Sequence, residues 1–187
     1  SLFCDTIMPG KFLTTLKGLM NMKNVNVRKL ALAGILVAVG IVCSPLSIPV
    51  GASRCAPIQH FINILGGVFL GPWYSLGTAF ITSLLRNLMG TGTLLAFPGS
   101  MCGALICGLL YQFTRRLPLA YLGELFGTSV IGGILSYPVA VLLMGNSCAV
   151  FAFVLPFFIS SFGGTIIAAV LVTALKRTKV LDAYLEK

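Results

Sequence analysis

The sequence predicts an all-α membrane protein with six transmembrane helices and both termini in the cytoplasm. Of its 187 residues, 57% are hydrophobic and only 9% are charged, and the mean hydropathy is +1.00. A soluble domain carries about 25% charged residues. Because one membrane crossing takes roughly 20 residues, the chain is long enough for about six crossings. The composition excludes a large soluble domain and an intrinsically disordered chain.

Basic residues supply the second observation, because they cluster outside the apolar runs. Five precede residue 30, two stand at 115–116 and four follow residue 175, so eleven of the thirteen lysines and arginines bracket those runs. An excess of Lys and Arg marks cytoplasmic segments. The net charge of +9 therefore reflects membrane topology rather than nucleic-acid binding. Arg54 and Arg86 are left near the outer face.

The apolar runs between these clusters place the helices. We expect helices at residues 28–44, 57–71, 73–89, 98–114, 118–143 and 150–175. Residues 1–26 would form an N-terminal tail or an interfacial amphipathic segment, residues 27–178 the membrane domain and residues 179–187 a cytoplasmic tail. The second and fourth helices are short for about 30 Å of hydrocarbon, so we expect the outer loops beside them to enter the membrane.

Polar residues gather at the outer end of the second helix. Gln59, His60 and Asn63 lie three or four residues apart, a spacing that puts them on one helix face. The preceding loop adds Arg54 and Cys55. Polar residues commonly join membrane helices by hydrogen bonds, so a structural contact explains His60 as well as a ligand contact does.

The third helix ends in a similar stripe. Ser83, Arg86 and Asn87 stand at i, i+3 and i+4. An ionisable residue in a membrane segment is costly and by default indicates function, although Arg86 could instead reach the lipid headgroups. The glycine-rich loop at 90–100 has a backbone that can approach a ligand closely. We expect further ligand contacts from Thr91, Thr93, Phe97, Ser100 and Tyr137.

The predicted pocket carries positive charge and no carboxylate. Arg54 and Arg86 lie near it, and no Asp or Glu occurs between Asp5 and Glu124. Glu124 itself is placed near the cytoplasmic start of the fifth helix. The second and fourth helices direct their N-termini outward, which favours an acceptor or an anion there. The pocket should suit a neutral, acceptor-rich or anionic small molecule, and it disfavours a fixed organic cation.

The first helix carries small residues on one stripe, at Ala31, Gly34 and Ala38. This spacing permits close helix contact, either within the chain or with a partner. The six cysteines include no Cys-x-x-Cys pair, so no metal site is predicted. Cys55 is the best candidate for a functional thiol, because its neighbours are polar.

Four strings in the chain resemble the ThiW branch of the substrate-binding (S) components of energy-coupling-factor (ECF) transporters. They are residues 49–63, the Leu-Gly-Pro-Trp-Tyr string at 70–74, Ser-Leu-Leu-Arg-Asn at 83–87, and Gly-Thr-Gly-Thr-Leu-Leu-Ala-Phe-Pro-Gly-Ser-Met at 90–101. The resemblance spans residues 28–176. It implies an ECF S-component-like bundle of six helices in a prokaryotic cell membrane, which binds a vitamin or its precursor from outside.

The resemblance also implies a ligand and partners. The ThiW branch is associated with uptake of the thiazole part of thiamine, hydroxyethylthiazole. Such subunits join a transmembrane coupling protein and two ATPases, so ATP would be used by the partners and this chain would hold no cofactor. The family's Ala-x-x-x-Ala contact with the coupling protein is offset here as Gly34-x-x-x-Ala38. The stripe at Ala31, Gly34 and Ala38 is therefore the expected docking face.

The residues give no indication of catalysis. The Gly-Thr-Gly-Thr string at 90–93 lacks the Gly-Lys-[Ser/Thr] end of a phosphate-binding loop. Two alternatives stay open: a stand-alone secondary transporter of a small neutral or anionic metabolite, and an intramembrane enzyme with Cys55 as nucleophile and His60 as base. Thiamine and its aminopyrimidine half are cationic or amine-bearing, so the predicted pocket prefers the thiazole alcohol or its phosphate ester.

Overall fold

The computed structural model describes residues 27–50, 53–145 and 149–177, and in these ranges five long helices pack around a sixth. They are α1 Val27–Val42, α2 Pro57–Phe69, α3 Pro72–Leu88, α4 Ala96–Thr114, α5 Leu117–Leu142 and α6 Val154–Arg177. The central helix is α2, which packs against each of the other five. The tails predicted at 1–26 and 179–187 lie outside the described residues.

Proline and glycine set several helix boundaries. Pro57 and Pro72 occupy the first turns of α2 and α3, where the missing amide hydrogen has no helical partner to lose. Gly71 joins these two helices with φ 91°, a left-handed conformation that glycine adopts without strain. The helix expected from residue 150 begins later, at Val154, because residues 149–153 form turns.

Three of the described helices are long and apolar enough to cross a membrane, namely α4, α5 and the Val154–Ala174 part of α6. The helices α1, α2 and α3 have 16, 13 and 17 residues. The expectation that the fourth helix is short is wrong, because α4 begins at Ala96 and has 19 residues. Large apolar side chains such as Leu88, Phe113 and Leu142 are at least 75% exposed, as expected for side chains that face lipid. The count of six crossings and the cytoplasmic termini stay predictions.

The link between α1 and α2 corrects the all-α prediction. It contains a 3₁₀ turn, Ser44–Leu46, and two antiparallel strands, β1 Ile48–Val50 and β2 Ser53–Cys55. Strands of three residues are too short to show an alternating pattern, so the sequence does not reveal them. The hairpin holds Arg54 beside the loop after α3, where Arg54 Nη1 donates to the Thr91 carbonyl oxygen at 3.0 Å.

Glycines on α4 bring the neighbouring helices unusually close. A Cβ at Gly108 would lie 2.6 Å from Pro72 Cα, and a Cβ at Gly103 would lie 2.7 Å from Glu124 Oε2. Small residues permit such close approach between membrane helices. The α3 and α5 helices therefore lie near enough to α4 for short polar side chains to meet inside the bundle.

The α5 helix widens near its middle. Residues Gly127–Gly132 form a π-helical turn, and Pro138 lies inside the helix further along. Single π-helical turns inside α-helices are frequent at functional sites. Here the wide turn contains the buried Thr128 and Ser129, so it faces the core of the bundle.

We predict that Gly108→Ala destabilises the protein, because the added methyl group would collide with the Pro72 backbone. Overpacking of this kind costs about 1–3 kcal/mol. The measurement is thermal unfolding of the purified protein in detergent. Gly77→Ala on α3 is the matched control, since a Cβ there meets nothing within 4 Å, and alanine favours a helix over glycine. Equal unfolding midpoints for the two variants would contradict the close packing.

Candidate functional site

The polar faces of α2 and α3 meet inside the bundle. Arg86 Nη1 donates to Gln59 Oε1 at 3.2 Å, and Arg86 Nε donates to Ser44 Oγ at 3.1 Å. Arg86 is 3% exposed and Gln59 is 4% exposed. The alternative in which Arg86 reaches the lipid headgroups is therefore wrong, because its guanidinium is engaged within the protein.

The α4 helix joins this contact through Ser100. The hydroxyl oxygens of Ser83 and Ser100 are 2.9 Å apart, and Asn63 Nδ2 donates to the Ser100 carbonyl oxygen at 3.1 Å. All three residues are buried. Side chains from α2, α3 and α4 thus form one hydrogen-bonded cluster.

A carboxylate lies at the base of the cluster, where none was expected. Glu124 of α5 is fully buried. Its Oε1 lies 2.9 Å from His60 Nδ1 and accepts hydrogen bonds from Asn63 Nδ2 at 3.0 Å and Thr128 Oγ1 at 3.1 Å. The prediction that Glu124 stands apart from the polar pocket is wrong, and so is the expectation of a site without a carboxylate.

Helix lengths explain the error. The α2 helix has 13 residues, which span about 20 Å. His60 stands nine residues before the end of α2 at Phe69, and Glu124 stands seven residues after the start of α5 at Leu117. These separations correspond to about 14 Å and about 10 Å. Because the α2–α3 and α4–α5 turns lie at the same end of the bundle, the two side chains reach a similar depth.

The cluster borders a small cavity. Its lining residues are Arg54, Ala56, Gln59, His60, Arg86, Gly92, Thr93, Ala96, Gly99, Ser100, Thr128 and Phe157. Only about 30 Å³ of it is open to the centre of a water molecule, which is room for roughly two waters. The lining side chains therefore fill most of the cavity themselves.

Buried polar atoms without a partner point to what the cavity could hold. Gln59 Nε2, Asn63 Oδ1 and Glu124 Oε2 make no hydrogen bond among the described residues. A buried donor or acceptor left unsatisfied costs about 1–3 kcal/mol. Of these residues, Gln59 lines the cavity. Its Nε2 can therefore donate to an acceptor on a bound molecule.

Three predicted site residues support the loop rather than line the cavity. Asn87 Nδ2 donates to the carbonyl oxygens of Ser83 at 2.8 Å and Thr93 at 3.0 Å. Thr91 Oγ1 donates to the Arg86 carbonyl oxygen at 3.2 Å. These bonds hold the loop between α3 and α4 against the end of α3. The third residue, Ser83, donates to the Ala96 carbonyl oxygen at 3.5 Å, where the loop joins α4.

Cys55, Phe97 and Tyr137 do not line the cavity either. Phe97 packs against Phe80 with ring centroids 5.6 Å apart. Cys55 makes no hydrogen bond with His60 among the described contacts. Next to Tyr137 on α5, Ser136 is buried, and its hydroxyl donates to the Gly132 carbonyl oxygen at 2.7 Å.

Several lining residues carried no polar signal in the sequence. They are Ala56, Gly92, Ala96, Gly99 and Phe157. A Cβ at Gly99 would lie 2.9 Å from the Phe157 ring, so glycine is needed for that ring to pack there. Thr128 could have been found from its place one helical turn after the single acidic residue of α5.

The small-residue stripe of α1 lies on the surface. Ala31, Gly34 and Ala38 are exposed, and a Cβ at Gly34 would meet nothing within 4 Å. The alternative in which this stripe packs inside the chain is therefore wrong for the described residues. By contrast, a Cβ at Gly164 of α6 would lie 2.3 Å from the Pro57 carbonyl oxygen, which is a close contact within the chain.

Comparison with known proteins gives a family match. The ThiW family model, described as thiamine-precursor transporter protein, matches residues 30–178. No curated protein and no solved structure matches the chain. The matched range contains all the residues that line the cavity. The chain therefore belongs to the ThiW family of thiamine-precursor transporters.

Proposed function

We propose that this chain is the substrate-capture subunit of an ATP-driven ECF vitamin transporter in a prokaryotic plasma membrane. It binds hydroxyethylthiazole, the thiazole precursor of thiamine, at the outer face. The observation that carries the proposal is the cavity at which buried polar side chains of α2, α3, α4 and α5 converge. Polar groups are costly inside a membrane bundle and by default indicate a functional site.

The charges around the cavity favour a neutral thiazole over cationic thiamine. Arg54 and Arg86 both line the cavity. Glu124 Oε1 already faces three hydrogen-bonding groups, and Glu124 does not line the cavity. A cationic ligand would meet two guanidinium groups on the cavity wall, whereas the Glu124 carboxylate lies behind His60. The thiazole alcohol offers a ring nitrogen and a hydroxyl oxygen that accept hydrogen bonds from Gln59 or Arg86.

The cavity must expand when the ligand enters. Its open volume is about 30 Å³, whereas pockets for small ligands have about 300–1,000 Å³. Two surface segments cover the lining residues: the β1–β2 hairpin with Arg54, and the loop after α3 with Gly92 and Thr93. Their separation would open the cavity. Arg54 joins them through its bond to the Thr91 carbonyl oxygen.

Energy for uptake would come from partner subunits. We propose that the exposed stripe of Ala31, Gly34 and Ala38 docks onto the transmembrane coupling protein, which carries two ATPases. Small residues on a helix surface permit close contact with another membrane helix. In this arrangement the chain binds the precursor and its partners hydrolyse ATP.

A stand-alone secondary transporter is the second candidate. The buried His60–Glu124 pair favours it, because ionisable pairs inside membrane bundles form proton pathways in such transporters. Proteoliposomes that contain only this chain separate the two candidates. Accumulation of hydroxyethylthiazole in them would overturn the ECF proposal. The enzyme alternative has no such support, since Cys55 does not line the cavity.

We predict that the purified protein binds hydroxyethylthiazole and returns it chemically unchanged, whereas thiamine and the aminopyrimidine half do not bind. Gln59→Met should lower the affinity by about tenfold or more, because the buried amide donor is lost. Isothermal calorimetry and mass spectrometry of the recovered ligand are the measurements.

Tyr137→Phe is the control for the Gln59 variant, because Tyr137 does not line the cavity. Its affinity should equal that of the unaltered protein. A site that prefers thiamine, or that tolerates Gln59→Met, would contradict the assignment of this cavity.

We predict that Gly34→Leu abolishes co-purification with the coupling protein and the ATPases and leaves the ligand affinity unchanged. The leucine would fill the exposed stripe and keep the partner helix away. Thr173→Leu places the same side chain at an exposed position on α6 and should co-purify normally. Complex formation by both variants would show that the docking face lies elsewhere.

A further inference from the structure

We infer that Glu124 and His60 together form a hydrogen-bond acceptor for the ligand's hydroxyl group, so that at neutral pH the site takes the free thiazole alcohol and rejects its phosphate ester. This inference rests on the proposed function. It assigns Glu124 a positioning role, because Glu124 acts on the ligand only through His60. The inference also decides between the thiazole alcohol and its phosphate ester, both of which are compatible with the charges around the cavity.

The amide of Asn63 fixes the direction of the hydrogen bonds. Asn63 Nδ2 lies 3.0 Å from Glu124 Oε1 and 3.1 Å from the Ser100 carbonyl oxygen. Both neighbours are acceptors, so this atom must be the NH₂ group, and both of its hydrogens are used. Thr128 Oγ1 donates to the same carboxylate oxygen. Glu124 Oε1 therefore accepts the hydrogen bonds from both Asn63 and Thr128.

The same carboxylate oxygen fixes the tautomer of His60. His60 Nδ1 lies 2.9 Å from Glu124 Oε1, so Nδ1 carries the hydrogen. In the neutral ring, Nε2 then has a lone pair and no hydrogen. His60 lines the cavity, and its Nε2 makes no hydrogen bond with a described residue. The ring therefore presents an acceptor that has no donor.

A ligand hydroxyl matches this acceptor and the neighbouring donor together. A hydroxyl group donates one hydrogen bond and accepts others. It can donate to His60 Nε2 and accept from Gln59 Nε2, the unpartnered amide on the same cavity wall. An ionised phosphate ester only accepts. Its oxygen would face the lone pair of Nε2 and leave that acceptor unsatisfied.

The charged groups around His60 come from three elements. They are the carboxylate of Glu124 from α5 and the guanidinium groups of Arg86 from α3 and Arg54 from β2. Helices α1 and α6 bring no ionisable side chain to the cavity. The guanidinium groups can only donate hydrogen bonds, so His60 Nε2 is the group that calls for a donor on the ligand.

The test compares three ligands by calorimetry with the full-length protein in detergent. They are hydroxyethylthiazole, its fluoroethyl analogue, which is similar in size but cannot donate a hydrogen bond, and its phosphate ester. At about pH 7.5 the alcohol should bind at least about tenfold more tightly than the fluoroethyl analogue, because an unsatisfied acceptor is costly. At the same pH the phosphate ester should bind more weakly than the alcohol, because its ionised oxygens cannot donate a hydrogen bond to His60 Nε2.

Variants show whether Glu124 positions His60 or only supports the fold. Glu124→Gln keeps an oxygen that accepts from His60 Nδ1, so it should weaken binding and retain the preference for the alcohol. Glu124→Met removes that acceptor and frees the ring to adopt either tautomer. The ratio of the affinities for the alcohol and for the fluoroethyl analogue should therefore fall toward one. His60→Gln offers a donor and an acceptor in one side chain and should also lose the preference. If Glu124→Met does not fold, His60→Gln and the comparison of the three ligands on the unaltered protein decide the question.

The possible failures are distinguishable. If the alcohol binds but the fluoroethyl analogue binds equally well at about pH 7.5, the inference is overturned and the proposed function stands. Loss of the preference in Glu124→Gln would overturn the acceptor role of Glu124. If none of the three ligands binds, the proposed function itself fails.

Discussion

The site depends on one buried carboxylate oxygen. Glu124 Oε1 faces hydrogen-bonding groups of His60, Asn63 and Thr128, so it links α2 to α5. Asn63 extends the link to α4 through Ser100. A buried carboxylate is tolerated only when it is paired and hydrogen-bonded. The stability of this part of the bundle and the orientation of His60 therefore have the same origin.

Close helix packing makes those short bonds possible. Gly103 of α4 lies directly against Glu124 and Thr128, and a Cβ there would approach Thr128 Oγ1 to 2.1 Å. Gly99, one turn earlier, leaves room for Phe157 at the cavity wall. The missing Cβ of Gly103 therefore leaves the space that Glu124 and the short Thr128 side chain occupy beside α4. The polar site therefore depends on the glycines of α4.

Local spacing predicted much of the site, and non-local geometry accounts for the errors. The i, i+3 and i+4 stripes of α2 and α3 converge, as their spacing suggests. Tyr137 does not line the cavity, and its neighbour Ser136 is buried instead. Glu124 was misjudged because its depth depends on the short length of α2. Neither effect follows from hydrophobic periodicity.

Unequal helix lengths have a consequence for the surrounding lipid. The surface helices α1 and α3 have 16 and 17 residues, whereas α5 and α6 have 26 and 24. Their rods measure about 25 Å on one flank and about 36–39 Å on the other. In the predicted arrangement of six crossings, a bilayer of uniform thickness cannot match both flanks, so it would thin beside α1 and α3 or the whole molecule would tilt. That arrangement makes the lipid around the protein uneven in thickness, with the thinner side at the Gly34 stripe.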